Sequence, residues 1–285
     1  MEKTKYLFFQ NIYRKLPFLK PVWQRIYKIN PGIINAPPKF DGWGMTTVHL
    51  MPWENNYYNK VFQKANEDIK KNFEHGLSED THVSSDSLDT LLWRHWNVSF
   101  AIRYAMEFSP VDLEEYNFVE CGAGDGITAF FAMYEIKEHF SNINRKYFLH
   151  LYDSWESLRQ EDLVGVETLQ KGKYNSNSIE RTKRNLSKFE SNIIYHKGYL
   201  PETLCTAPEP PNSLIYLHID LNVAKPTQKV LEHMYPKMKK GGVILFDDYG
   251  WDVFVDSRNV IDEFLKDKAG TLMMLPTGQA MFLVK

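Results

Sequence analysis

Residues 118–126 have the sequence Phe118-Val119-Glu120-Cys121-Gly122-Ala123-Gly124-Asp125-Gly126, and this stretch decides the fold. A short apolar run leads into three glycines at every second position, and a segment compatible with a helix follows from Ile127. Glycines between a strand and a helix let the backbone approach a ligand and point amide groups at an anion. The stretch therefore predicts a buried strand, a ligand-binding loop and a helix in succession.

Short apolar runs alternate with longer amphipathic segments on the C-terminal side of this loop. The runs, which are apolar on both faces as in a covered parallel sheet, are Phe118–Cys121, Tyr147–Tyr152, Asn192–Tyr195, Leu214–Ile219 and Val243–Phe246. The segments predicted to be helices are Ile127–Phe140, Ser178–Phe189, Pro226–Met238 and Val255–Lys268. The alternation predicts an α/β fold with a parallel sheet and right-handed crossovers. Two final runs, Thr271–Leu275 and Ala280–Val284, flank a Pro-Thr-Gly turn and predict an antiparallel hairpin.

The N-terminal part, residues 1–110, has a different composition and is expected to form a mainly helical cap beside the sheet domain at 111–285. Residues 1–30 carry seven basic side chains against one acidic one, together with seven aromatic side chains. This segment is expected to pack as an arm on the body or on a second subunit, giving a homodimer; the alternative is an anionic membrane surface.

Helices are predicted near Tyr57–His75 and Ser87–Phe108. Trp43, Met45 and Trp53, in a loop rich in proline and glycine, are expected to cover the acceptor.

The overall composition excludes several classes of protein. The chain has 285 residues, 43% of them apolar and 25% charged, with a net charge of −2. These values exclude a disordered chain and give no reason to expect a nucleic-acid partner. Two cysteines provide neither a disulfide framework nor a four-thiolate metal site. We expect a cytoplasmic protein with a small-molecule substrate, no signal peptide and no transmembrane segment.

Three aspartates follow two neighbouring strands of the predicted sheet. Asp220 comes directly after the fourth strand, and Asp247 and Asp248 come directly after the fifth. The carboxyl ends of parallel strands face one crevice, and three carboxylates there repel one another unless a cation or protons intervene. Hard oxygen ligands suit Mg²⁺ or Ca²⁺. The alternative is that Asp220 and Asp248 only cap helices.

The glycine loop allows two interpretations. A dinucleotide-binding loop needs a third glycine at position 127, where Ile127 stands. An NAD(P)-dependent oxidoreductase is therefore the disfavoured enzyme alternative. An acidic residue, Glu120, ahead of Gly-x-Gly-x-Gly instead resembles the S-adenosylmethionine loop of class I methyltransferases, whose sheet also ends in an antiparallel hairpin.

Further motifs extend this resemblance over roughly residues 115–285. They occur in the order Asp153-Ser154-Trp155-Glu156-Ser157-Leu158, Lys197-Gly198-Tyr199-Leu200-Pro201-Glu202-Thr203-Leu204, Leu217-His218-Ile219-Asp220, Gly241-Gly242-Val243-Ile244-Leu245-Phe246-Asp247-Asp248-Tyr249-Gly250 and Arg258-Asn259-Val260-Ile261-Asp262-Glu263-Phe264. The series is similar to the macrocin O-methyltransferase (TylF-like) family, whose members methylate sugar hydroxyls with the help of a metal ion.

The resemblance implies a Rossmann-like class I methyltransferase with a seven-stranded, mostly parallel sheet. It implies S-adenosylmethionine as cofactor, with binding residues Glu120, Gly122, Gly124, Thr128, Asp153, Ser154, Gly198 and Tyr199. It also implies Mg²⁺ held by Asp220, Asp247 and Asp248. The implied reaction is methylation of a hydroxyl on a sugar or a similar polyhydroxylated acceptor.

The resemblance does not identify the general base, because the chain departs from the family after Asp220. Asn222, Ala224 and Lys225 stand where the family usually has Asp and then Tyr-Glu. The candidate bases are Asp220, Lys225 and His95, with Glu156 as a further possibility, whereas His218 is expected to be a buried strand residue. The same departures leave open a methyltransferase-fold binding protein without catalysis. A nucleic-acid methylase is disfavoured because no Asn-Pro-Pro-aromatic run follows the fourth strand.

Overall fold

The computed structural model describes residues 51–55, 57–74, 91–110 and 113–285. The predictions for the basic arm, for Trp43 and Met45 and for the first residues of the helix near Ser87–Phe108 lie outside the described residues. Trp53 lies within them, and its ring centroid is 6.0 Å from that of Trp93. In the described part of the chain, no helix combines the length and the apolar character needed to cross a membrane.

The described residues form one sheet of seven strands. Their bounds are β1 Glu115–Cys121, β2 Lys146–Asp153, β3 Ile193–Lys197, β4 Leu214–Ile219, β5 Met238–Phe246, β6 Gly270–Met274 and β7 Ala280–Val284. The spatial order is β3-β2-β1-β4-β5-β7-β6. Strands β1 to β5 pair in parallel, and β7 pairs antiparallel with both β5 and β6. The predicted α/β fold and its antiparallel C-terminal hairpin are confirmed.

Six α-helices accompany the sheet in the described ranges. Their bounds are α1 Lys60–Asn72, α2 Leu92–Phe108, α3 Ile127–His139, α4 Ile179–Asn185, α5 Ala224–Met234 and α6 Val255–Leu265. Helix α5 ends before the predicted Met238, since Pro236 has no N–H for a helical hydrogen bond and the chain continues as a 3₁₀ turn. Strand β5 begins at Met238, five residues before the apolar run, because Lys239 and Lys240 hide its start from a search for apolar runs.

Alternate residues of each strand face two separate layers of helices. Val243 and Leu245 pack in the cluster that contains α1, α2 and α3, whereas Ile244 and Phe246 pack in the cluster that contains α5 and α6. Helix α2 is buried along most of its length beside β5. The stacked rings of Phe62 and Phe131, 5.0 Å apart, join α1 to α3 in the same layer. This packing fixes α2 beside the carboxyl ends of β4 and β5.

Candidate active site

The glycine loop leaves the end of β1 with three glycines in left-handed backbone conformations. The φ angles are +92° at Gly122, +49° at Gly124 and +84° at Gly126. A Cβ atom on Gly122 would lie 1.8 Å from the carbonyl oxygen of Asp220, so only glycine fits between β1 and the end of β4. A Cβ atom on Gly124 would meet nothing closer than 3.9 Å. The loop therefore pairs tightly with β4 at its start and is open at Gly124.

Asp153, at the end of β2, holds the loops after three strands together. Its carboxylate accepts hydrogen bonds from the backbone N–H groups of Gly124 (2.8 Å) and Trp155 (2.6 Å). Its carbonyl oxygen accepts from the N–H of Gly198 at 2.9 Å, just after β3. Burial raises the pKa of Asp153 to about 6, although the two backbone hydrogen bonds favour the ionised form.

Three further hydrogen bonds order the surroundings of the loop. Thr128, at the start of α3, donates from its hydroxyl to the carboxylate of Glu120, and both side chains are buried. The Tyr199 hydroxyl donates to the carbonyl of Ser157 at 2.9 Å, and the Arg159 guanidinium lies 4.4 Å from the Tyr199 ring centroid. Ser154 accepts at Oγ from the N–H of Glu156 at 3.1 Å.

The three aspartates after β4 and β5 lie beside this loop, and an arginine from α2 reaches into them. Arg94 Nε donates to Asp247 Oδ1 at 2.9 Å, and Arg94 Nη2 donates to Asp220 Oδ2 at 3.1 Å. Arg94 Nη2 also contacts Asp247 Oδ2. One guanidinium nitrogen therefore bridges the two carboxylates.

Asp247 is fixed by neutral groups as well as by Arg94. Its side chain is 1% exposed, and its Oδ1 accepts from Gln279 Nε2 at 2.8 Å. Gln279 in turn accepts from Asn97 Nδ2, also at 2.8 Å, and Asn97 lies one turn after Arg94 on α2. His218 Nε2 is 3.5 Å from Asp247 Oδ1, and His218 Nδ1 is 3.8 Å from Glu120 Oε1. The imidazole of His218 thus lies between the carboxylate of Glu120 on β1 and that of Asp247 after β5.

Asp248 faces Asp220 and lacks the contacts that Asp247 has. Burial and the neighbouring Asp220 carboxylate raise the pKa of Asp248 to about 8. Its Oδ2 atom is buried, and among the described residues no donor forms a hydrogen bond with it. The three aspartates therefore offer more carboxyl groups than the single positive charge of Arg94 can neutralise.

This geometry can be compared with known proteins. The profile of the macrocin O-methyltransferase (TylF) family matches residues 105–273, more than half of the chain. The chain belongs to this family. It is therefore an S-adenosylmethionine-dependent O-methyltransferase, and the alternatives of an oxidoreductase and of a binding protein without catalysis are excluded.

Solved structures of two O-methyltransferases have the same fold. NovP is 20% identical, with a TM-score of 0.58 over 68% of this chain and 80% of that one. The calicheamicin methyltransferase CalS11 is 16% identical, with a TM-score of 0.53 over 86% of this chain and 98% of that one. No curated protein matches the sequence.

The predicted cofactor residues of this methyltransferase lie on adjacent strands and loops at one edge of the sheet. Glu120 and Asp153 lie at the ends of β1 and β2, Thr128 lies at the start of α3, and the others lie in the loops that follow β1, β2 and β3. Asp153 and Glu120 already accept hydrogen bonds from the chain itself, and the space at Gly124 is open. The open space at Gly124 and the half-buried carboxylate of Asp153 beside it fit a bound S-adenosylmethionine. The individual roles stay predictions.

The candidate bases have different surroundings. His95 is buried, its ring stacks on that of Phe131 at a centroid distance of 4.8 Å, and burial lowers its pKa to about 3. Lys225 Nζ donates to the carbonyl of Glu161 at 2.7 Å. Asp220 has a side chain that is 20% exposed and is the candidate base that borders the other carboxylates.

The donor set fits a divalent cation by its chemistry. His218, Asp220 and Asp247 each offer one ligand atom, and the three atoms lie within 4.8 Å of one another. Asp248 is not in this group of three, although its buried Oδ2 has no donor among the described residues. A set dominated by carboxylate oxygens suits Mg²⁺.

Sequence reasoning missed Arg94, Asn97 and Gln279, which the structure adds to the aspartates. Arg94 is 126 residues from Asp220 and 153 residues from Asp247 along the chain. No local spacing links such distant positions. The one signal in the sequence is that Arg94 directly precedes His95, a candidate base.

Proposed function

We propose that this methyltransferase transfers a methyl group to a hydroxyl of a sugar or similar polyhydroxylated acceptor, with Mg²⁺ held by Asp220, Asp247 and Asp248. The carboxylate cluster beside the glycine loop carries the proposal. Strands β1 and β4 are neighbours, and the N–H of Asp220 donates to the carbonyl of Cys121 at 2.8 Å. A methyl donor on the loop and an acceptor at the aspartates would therefore be adjacent.

The sugar class of acceptor is supported by the family and by the chemistry of the site. The sequence resembles enzymes that methylate sugar hydroxyls, and vicinal hydroxyls are suitable partners for a site rich in carboxylates. Bound Mg²⁺ would supply Lewis-acid chemistry, which lowers the pKa of a hydroxyl. S-adenosylmethionine would supply the methyl group from the side of the glycine loop.

The residues of the chain have separate tasks in this proposal. Asp153, held by two backbone amides, would accept hydrogen bonds from the ribose hydroxyls of the cofactor. Asp220, the more exposed partner of the Asp220–Asp247 pair, would receive the hydroxyl proton at a carboxylate oxygen. Asp247, buried and held by Gln279, would keep the cluster in place. The pKa of about 3 makes His95 poorly suited to holding this proton near neutral pH.

The proposal is tested by supplying methyl-labelled S-adenosylmethionine with a panel of free sugars, sugar nucleotides and glycosides. The expected product is a sugar methylated on oxygen, identified by mass spectrometry and NMR. Transfer should stop with EDTA and return with Mg²⁺. Asp220→Asn should lower turnover by roughly 100-fold or more, as loss of a general base does. Glu232→Gln, an exposed change on α5, is the matched control and should leave turnover unchanged.

Two results would contradict different parts of the proposal. Methylation of no sugar in the panel, together with transfer to another class of hydroxyl, would refute the acceptor class. Full turnover of a chelator-treated enzyme that elemental analysis finds free of metal would refute the role of Mg²⁺.

A further inference from the structure

Arg94 stands at the point where the proposed cation would be needed. Its Nη2 atom lies 3.1 Å from Asp220 Oδ2 and also contacts Asp247 Oδ2. These two residues are also among the three whose ligand atoms lie within 4.8 Å of one another. Because a positive group already joins both carboxylates, an ion bound by the same pair would have to take its place.

We propose that Arg94 is a built-in counterion of the Asp220–Asp247 pair and that it leaves the pair when a divalent cation binds. The proposal rests on the metal site of the proposed function. It makes Arg94 a positioning residue: the side chain keeps two neighbouring carboxylates together without metal and competes with the ion for them.

The solvent exposure of the Arg94 side chain allows it to move away from the two carboxylates. Its side chain is 32% exposed, whereas that of Asp247 is 1% exposed. The guanidinium therefore enters the cluster from the surface, on a long and flexible stem, and can turn outward without opening the core. The backbone of α2 stays in place, since its buried residues pack against the sheet and against α3.

Asp247, the buried carboxylate of the pair, is also held by groups other than Arg94. Gln279 Nε2 donates to Asp247 Oδ1 at 2.8 Å, and Asn97 fixes the amide of Gln279 at 2.8 Å. These amides are neutral, so they orient Asp247 without cancelling its charge. Departure of Arg94 would then leave an oriented but uncompensated buried carboxylate, which strongly favours the arrival of another cation.

The control for this proposal lies on the same helix. Arg103 has a side chain that is 31% exposed, nearly the same as Arg94, and its Nε is 4.0 Å from Glu135 Oε1. It donates to the carbonyl of Tyr58 at 2.7 Å. Arg103→Met thus removes an equally exposed arginine and its charge from α2 without touching the aspartates.

The first measurement is Mg²⁺ binding by calorimetry to the full chain after chelator treatment, without cofactor or acceptor. Arg94→Met should bind Mg²⁺ about tenfold more tightly than the wild type, because charge-assisted hydrogen bonds no longer compete. Arg103→Met should bind as the wild type does. Equal affinities of wild type and Arg94→Met would overturn the proposal and leave the metal site standing. Binding of Mg²⁺ by none of the three proteins would overturn both.

The second measurement uses the wild type and does not depend on how a variant folds. Phenylglyoxal modifies exposed guanidinium groups, and mass spectrometry reports the extent of modification at each arginine. Added Mg²⁺ should raise the labelling of Arg94 several-fold and leave that of Arg103 unchanged. Unchanged labelling of Arg94 at Mg²⁺ concentrations that saturate the calorimetric site would refute displacement.

Discussion

Substitution of Gly122 by alanine tests whether the start of the glycine loop is dictated by the pairing of two strands. The new Cβ would lie 1.8 Å from the Asp220 carbonyl oxygen, and real Cβ contacts are essentially never shorter than 3.0 Å. The ends of β1 and β4 would have to separate. One backbone hydrogen bond, from Asp220 N to Cys121 O at 2.8 Å, joins the two strands there, whereas Gly122 N donates to Tyr152 O of β2.

Gly172 is the matched control, because it isolates the effect of the backbone conformation. Its φ is +76°, and a Cβ there would meet nothing within 4 Å. We expect Gly172→Ala to lower the free energy of unfolding by about 1–2 kcal/mol, the usual strain of a left-handed residue. Gly122→Ala has the same strain and also weakens the hydrogen bond between β1 and β4, worth about 1 kcal/mol, so its total cost should be about 2–3 kcal/mol.

Urea unfolding followed by tryptophan fluorescence measures both free energies. The two variants should unfold in transitions of similar slope, since the surface exposed on unfolding is the same. Equal destabilisation of the two variants would refute the reasoning, because it would mean that the chain accommodates the Cβ of residue 122 beside Asp220 without separating the strands.

Two further predictions concern the cofactor and the pH dependence of stability. Asp153→Asn should weaken binding of S-adenosylhomocysteine by about tenfold or more in calorimetry, as loss of a charged hydrogen-bond partner does; unchanged affinity would remove Asp153 from the site. Burial raises the pKa of Glu135 from its ordinary 4.5 to about 7, so the wild type loses stability as the pH rises between these values. Glu135→Gln should gain about 2–3 kcal/mol relative to the wild type between pH 5 and pH 8 in urea unfolding, whereas Glu138→Gln, exposed on the same helix, should show no such gain.

The sequence predicts the sheet well because its parallel strands are buried on both faces. Such strands appear as short apolar runs, and the parallel strand Leu214–Ile219 has the predicted bounds, as does the antiparallel strand Ala280–Val284. The start of β5 is missed because Lys239 and Lys240 lie within the strand although their side chains are polar. Pairing in a sheet depends on the backbone, which a pattern of side chains reports only indirectly.

The part of the candidate site that follows directly from the strands is likewise predictable from the sequence. The aspartates are found because each follows a strand, and adjacent strands bring their ends together. Arg94 is not found because its contact depends on how α2 packs across β5. That packing is a tertiary property, set by side chains such as Phe131 and Leu245 that lie far apart in the sequence.

The two halves of the candidate site are consequently held by different kinds of interaction. The cofactor half depends on backbone geometry: positive φ angles in the glycine loop, and hydrogen bonds from main-chain amides to Asp153. The carboxylate half depends on side chains of α2, through Arg94 directly and through Asn97 and Gln279 to Asp247. Under the proposed function, conservative changes on the face of α2 that contacts the aspartates should therefore alter Mg²⁺ binding and acceptor turnover without disturbing the loop. It follows that substitutions of Arg94 and Asn97 should separate acceptor turnover from cofactor affinity, whereas substitutions of Gly122 should reduce both together.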